Sequence, residues 1–396
     1  MLRQVEGSKA VADAVAVCAP EVICAYPISP QTHIVEGLGQ LVKDGSLPNC
    51  EFINVESEFA AMSVAIGASA TGARTYTATA SQGLLYMVEA VYNASGLGLP
   101  IVMTVANRAI GGPINIWNDH SDSMSQRDSG WLQLYAENNQ EAADLHIQAF
   151  RIAEEMSMPV MVCMDGFILT HAYEQVDIPT REEVAAFLPT FVPRQFLDPA
   201  EPISMGAMVG PESFMEVKFL AHQRMIDSLE KVQEVADDFE RQFGRKTGGL
   251  LRTYRTIGAE TIVLALGSVI GTLKDVIDEL QLDGHPIGLV GLTSFRPFPY
   301  EAVAEALKDA KRVVILEKAF STGTGGIVTL DVARAIEGLG LKDFTVIAGL
   351  GGRPITIAAL RNYLEAAMAE QVQRLTFLDL EADVIDVELT KERSLR

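Results

Sequence analysis

Short apolar runs recur along the chain, each followed by a stretch with helical spacing, and this alternation predicts α/β layers built on parallel sheet. In the first half the runs are Val22–Ala25, Phe52–Val55, Thr75–Thr79, Ile101–Val105 and Val160–Met164. In the second half they are Thr261–Leu266, Ile287–Val290, Val313–Leu316 and Phe344–Ile347. The two prolines of Tyr26-Pro27-Ile28-Ser29-Pro30 force an extended turn after the first strand. Ala80-Ser81-Gln82-Gly83 turns into a helix expected to continue to about Ser95, and residues 107–128 form a polar loop that holds Trp117. A loop of that length inside a compact domain is usually functional or disordered. Residues 179–210, rich in proline, are expected to wrap over a surface. From Glu216 to Phe243 apolar residues fall near helical spacing, and Gly244 and Gly248-Gly249 mark the end of that long helix. The tail beyond about Glu370 is acidic and reads as having no fold of its own.

Length and charge narrow this picture. A chain of 396 residues exceeds one ordinary core, and 48% hydrophobic with 21% charged residues fits a globular protein of two or three domains. A formal charge of −21 argues against nucleic acid or an anionic membrane as partner, since both require a basic footprint. Cys18, Cys24, Cys50 and Cys163 are widely spaced with no C-x-x-C pair, which argues against a disulfide scaffold, an iron–sulfur cluster or a zinc site. They read as reduced thiols of a cytoplasmic protein. No signal h-region and no membrane-spanning run is evident.

Three groups of residues are candidates for chemistry. Glu58 follows Ser57 at the start of a helix of small residues, where a carboxylate complements the helix dipole and Ser57 serves as cap. The same small residues would let a flat ligand approach, and a carboxyl buried there could bond a ring nitrogen. Arg108 follows a buried strand at its carboxyl end, where α/β sheets place ligands, and suits capture of a carboxylate; the competing reading is a salt bridge to Asp119 or Asp122. Asp119 and His120 could form an acid/base pair, against which stands a solvated histidine in a polar loop. No local histidine spacing supports a metal site. The clusters Gly323-Thr324-Gly325-Gly326 and Gly349-Leu350-Gly351-Gly352 could cradle an anion but match no phosphate motif, so tight turns explain them better.

Taken in order, Tyr26-Pro27-Ile28-Ser29-Pro30, Glu56-Ser57-Glu58, Thr79-Ala80-Ser81-Gln82-Gly83 and Asn107-Arg108-Ala109 resemble the alpha subunit of the 2-oxoacid:ferredoxin oxidoreductase family, in its pyruvate form. Phe295-Arg296-Pro297-Phe298-Pro299 and Glu317-Lys318 look like that family's second domain. The resemblance implies a pyrimidine-binding thiamine-diphosphate domain over 1–248, a transketolase C-terminal-like domain over 249–370, and a tail, 371–396, lying on a partner subunit. It implies Glu58 as the catalytic acid that bonds the aminopyrimidine ring, with Tyr26, Pro27, Ser81, Gln82 and Gly83 also against the cofactor. Ser29, Arg108, Pro27 and Ile28 would meet the substrate, Ser29 standing where the family usually has threonine. A G-D-G motif with a following asparagine is absent, since Met164 precedes Asp165-Gly166 and no asparagine lies between Asn139 and Asn362. The diphosphate, Mg2+ and iron–sulfur (4Fe–4S) clusters are therefore expected on partners: a diphosphate-binding beta subunit, a ferredoxin-like cluster subunit and a gamma subunit. Pyruvate, coenzyme A and ferredoxin complete the implied reaction. The alternatives are another 2-oxoacid (2-oxoglutarate, a branched-chain acid or oxalate) or a non-catalytic structural subunit.

Overall fold

The computed structural model describes residues 2–394. Each expected strand forms, most within a residue or two of the predicted limits. Seven strands make the first sheet, in the order 294–296, 132–135, 160–165, 101–107, 75–79, 22–25, 51–54, all neighbours parallel except the first pair. Val22–Ala25 thus lies between the strand that follows it and Thr75–Thr79. The chain reverses its direction of travel across the sheet there, and α/β sheets bind ligands beyond the carboxyl ends of such strands.

A second sheet runs 375–377, 342–347, 312–317, 261–265, 287–292, 251–254, parallel but for the last strand. Its edge strand Leu375–Phe377 pairs with Thr345–Ile347, so part of the tail expected to lack structure belongs to this sheet. The helix Ala382–Ser394 follows it. Several elements were not expected from sequence. They are the helix Asn139–Met156, the strand Leu132–Tyr135 and a small antiparallel pair of Arg3–Glu6 with Tyr173–Val176. The predicted helix from Gly83 to Ser95 is broken: Ser81–Tyr86 ends at Met87, where Val88–Gly96 begins.

The two sheets are fastened together. Ser294–Arg296, from the second half, adds a strand to the first sheet. One apolar core also runs through both, bringing Leu84, Met103 and Trp131 together with Ile262, Val290, Phe295 and Val313. The long helix Phe214–Phe243 buries Val232, Val235 and Phe239 in the first sheet's other core. Where the halves meet, Asp165 receives Lys318 Nζ at 2.8 Å, His120 Nε2 at 2.5 Å and the amide of Ser268 at 3.1 Å. Burial alone would raise the pKa of Asp165, but Lys318 and His120 outweigh it and hold the carboxyl well below its usual range. Removing one member of such a buried pair typically costs about 3–5 kcal/mol, because the other charge is left unpaired.

Candidate active site

Ser57 adopts extended backbone and its hydroxyl accepts the amide of Ala60 at 3.2 Å, opening the helix Glu58–Ala70. That places Glu58 in the first turn, 9% exposed, and its carboxyl has no hydrogen-bond or ion-pair partner among the described residues. Beside it lies Gly83. A Cβ added there would stand 2.6 Å from Thr79 Oγ1 and 2.8 Å from Glu58 Oε1. Thr79 Oγ1 is itself buried without a partner. An unpaired carboxyl and an unpaired hydroxyl thus converge over a position where only hydrogen fits. A buried unpaired hydroxyl is costly unless something else bonds it, so the pair of groups suits the edge of a polar ring. For Gly83→Ala we expect turnover of the assembled enzyme to fall about 10²-fold through displacement of Glu58, the cost typical of a 1 Å misplacement. Steady-state kinetics on complexes with normal melting temperature would check this.

The neighbouring backbone is organised by Asp122, inside the loop 107–128. Its two carboxylate oxygens accept the amides of Ser81 at 2.9 Å, Arg108 at 3.0 Å and Ser123 at 2.7 Å, and Asn107 Nδ2 at 2.8 Å. Burial pushes its pKa up to about 6, against the pull of those donors. Ser81 needs the support, because it sits at φ +47°, a left-handed conformation costing a non-glycine residue about 1–2 kcal/mol. Asp122→Asn should destabilise the chain by about 2–5 kcal/mol, since an amide nitrogen would face two N–H donors that then go unsatisfied. The midpoint of chemical denaturation measures this.

Arg108 is buried, and its guanidinium is not in a salt bridge to Asp119 or Asp122: Nη1 donates to Ser29 O at 2.9 Å and Nε to Asn115 O at 3.2 Å. Burial lowers its pKa, an effect that the charge of Asp122 opposes. Positive charge is therefore held by neutral carbonyls, a setting that leaves it available to an anion. The same contact brings Ser29 to Arg108. The turn bearing Tyr26, Pro27 and Ile28 is pinned by Gln31, whose Nε2 reaches Ala78 O at 2.6 Å and whose amide reaches Ile28 O at 2.8 Å. Tyr26, Pro27 and Ser29 are exposed and Ile28 is half-buried.

Other candidates take different places. The Ser81 hydroxyl lies 2.5 Å from Ala109 O, and Gln82 packs against Gly111, so both support the loop. His120 is buried against Asp165 and not paired with Asp119, which instead accepts the amides of Ser121 at 2.9 Å and Gly351 at 3.2 Å. The loop 107–128 is thereby docked on the second half, with Asn115 Nδ2 also donating to Gly351 O at 3.1 Å. The first glycine cluster does face an anion at a helix start, but the anion is Glu317, which accepts the amides of Ile327, Val328 and Thr329 at 2.7–3.0 Å. Gln31 and Asp165 escaped sequence analysis because their bonds cross from one strand end to another, leaving no local pattern to read.

A carboxyl opening a helix beside a glycine cradle thus lies at the carboxyl ends of a parallel sheet, where α/β domains bind their ligands. Residues 13–237 match the family model for the thiamine-diphosphate-binding part of pyruvate flavodoxin/ferredoxin oxidoreductases, and residues 259–360 match core domain II of pyruvate:ferredoxin oxidoreductase. The chain belongs to the pyruvate:ferredoxin oxidoreductase family. It is 47% identical to a pyruvate synthase subunit PorA of Methanosarcina barkeri, over 96% of this chain and 97% of that one. It is 46% identical to the PorA of Methanocaldococcus jannaschii, over 92% and 95%. A ketoisovalerate oxidoreductase subunit VorA of Pyrococcus horikoshii is 37% identical over 94% and 93%. Among solved structures, a 2-oxoglutarate:ferredoxin oxidoreductase of Magnetococcus marinus superposes with a TM-score of 0.69 at 19% identity, over 94% of this chain and 65% of that one, a likeness of fold.

Proposed function

We propose that this chain is the subunit of a pyruvate synthase that holds the pyrimidine half of thiamine diphosphate, with Glu58 as its catalytic acid. The observation that carries the reading is the Glu58 carboxyl, buried without a partner over Gly83. When bound, thiamine diphosphate supplies a carbon nucleophile and an electron sink for cleaving the bond between carboxylate and carbonyl carbon. Glu58 would hold or yield a proton on the pyrimidine ring, and Thr79 Oγ1, beside the same glycine, would be a second polar group for it. In this reading Tyr26, Pro27 and Gly83 meet the cofactor together with the backbone of Ser81 and Gln82, whose side chains support the loop 107–128 beside it. Arg108 orients the substrate carboxylate, with Ser29, Pro27 and Ile28 lining the approach. One guanidinium suits a monocarboxylate such as pyruvate better than a dicarboxylate.

Partner subunits complete the site in this reading. They supply the diphosphate and Mg2+ ligands and the iron–sulfur clusters, consistent with the absence of the G-D-G motif and of cysteine pairs. The exposed rings of Phe59 and Tyr86, with centroids 6.4 Å apart, form an apolar step beside Glu58 that a partner would cover. Coenzyme A accepts the acyl group, ferredoxin the electrons, and the complex acts in the cytoplasm. No described helix is long and apolar enough to cross a membrane. The test is pyruvate- and coenzyme A-dependent reduction of a dye by the purified complex, run beside 2-oxoglutarate and 2-oxoisovalerate. Pyruvate is expected to give the highest kcat/KM, and a preference for either competitor would overturn the substrate assignment.

A further inference from the structure

A second cluster of polar groups lies outside the cradle. Glu6 ends the strand Arg3–Glu6, His33 is in the first turn of the helix Thr32–Lys43, and His171 follows the strand Val160–Asp165. Far apart in sequence, these three residues bring one potential ligand atom each to within 4.8 Å of one another. His33 Nδ1 is 2.7 Å from Glu6 Oε1, and the two imidazole rings lie 4.8 Å apart at their centroids. We propose that Glu6, His33 and His171 form a binding site for a first-row divalent cation of the zinc class.

The donor set is what such a cation selects: two imidazoles and one carboxylate, which bind at about 2.0–2.2 Å and leave a further position for water. A hydrogen bond accounts for His33 and Glu6 but not for His171, whose hydrogen bond among the described residues is to its neighbour Thr170 and whose ring faces the other imidazole. Two neighbouring histidines repel if both are protonated, whereas a shared metal ion uses both neutral lone pairs. His171 Nδ1 is 2.7 Å from Thr170 Oγ1, the kind of outer contact that fixes the tautomer of a ligating histidine. Glu6 and His171 are half-buried and His33 is exposed, so an ion can enter from solvent.

The position gives the ion a consequence. The helix bearing His33 begins just after the Ser29-Pro30 turn that contacts Arg108. On the other side Phe167 packs at 4.8 Å on His171 and at 4.9 Å on Trp117, in the loop that carries Asp122. A cation bridging the three residues ties the small outer sheet to both walls of the substrate approach. The experiment is titration of the chelator-treated full-length chain with ZnCl2 by calorimetry, and with CoCl2 by absorption spectroscopy. One equivalent per chain is expected, together with a raised melting temperature. His33→Ala and His171→Ala should each weaken binding beyond the roughly 10–100-fold typical of losing an outer-shell partner. His222→Ala, a change at an exposed histidine elsewhere, should leave it unchanged. No stoichiometric site, or one that survives both changes at His33 and His171, would overturn the proposal. Neither readout depends on turnover, so the result stands apart from the substrate assignment.

Discussion

In the reconstituted complex, Glu58→Gln is expected to lower kcat by about 10²–10⁴-fold, the range for removing a positioned acid or base. Glutamine keeps the length and can still touch a ring nitrogen, but its amide cannot exchange a proton there. The structure adds a second expectation that separates chemistry from folding. The Glu58 carboxyl has no hydrogen-bond or ion-pair partner among the described residues, so the amide breaks no contact within the chain and should leave the melting temperature unchanged. A variant that is slow and stable supports the catalytic assignment. Unchanged turnover would refute it and leave Glu58 as a helix-capping acid, while joint loss of activity and stability would make it a structural residue.

Much of this site was legible because its parts are local. A serine cap followed by an acid, a turn with two prolines, and a glycine after a strand each carry their own backbone signature, and the structure brings Ser29 to Arg108 and Glu58 to Gly83. The strands were legible for a similar reason, being short runs of apolar residues between helical segments. What holds these pieces in relation was not. Asp122 reads in sequence as one more acid in a polar loop, yet its four hydrogen bonds join two strand ends to its own short helix. His120 reads as solvated and is buried, because its ring bonds Asp165 of the first sheet and Lys318 from the second half of the chain closes over the pair. Leu375–Phe377 was missed because an edge strand of three residues has too little apolar pattern to stand out from an acidic tail. In each case the deciding partner lies far away in sequence, and a buried polar group takes its meaning from that partner.

Arg108→Ala should raise the KM for pyruvate by the equivalent of about 2–4 kcal/mol, the penalty for removing one side of a buried charged contact. That reduces kcat/KM roughly 30- to 1,000-fold, each 1.4 kcal/mol being tenfold. The expectation follows from how the guanidinium is held: Ser29 O and Asn115 O fix its direction without neutralising its charge. Arg108→Lys separates direction from charge. Lysine keeps the cation but cannot hold both carbonyls and a carboxylate in one plane, so it should recover only part of the loss. Acetaldehyde, which gives up a proton where pyruvate gives up carbon dioxide, supplies the control as an analogue without a carboxylate, because it should be oxidised equally by the wild-type complex and the alanine variant. Equal loss for that analogue would mean that Arg108 acts on the shape of the loop and not on the substrate. The distinction is sharp here, since the backbone amide of Arg108 is already bound by Asp122 and survives the change of side chain.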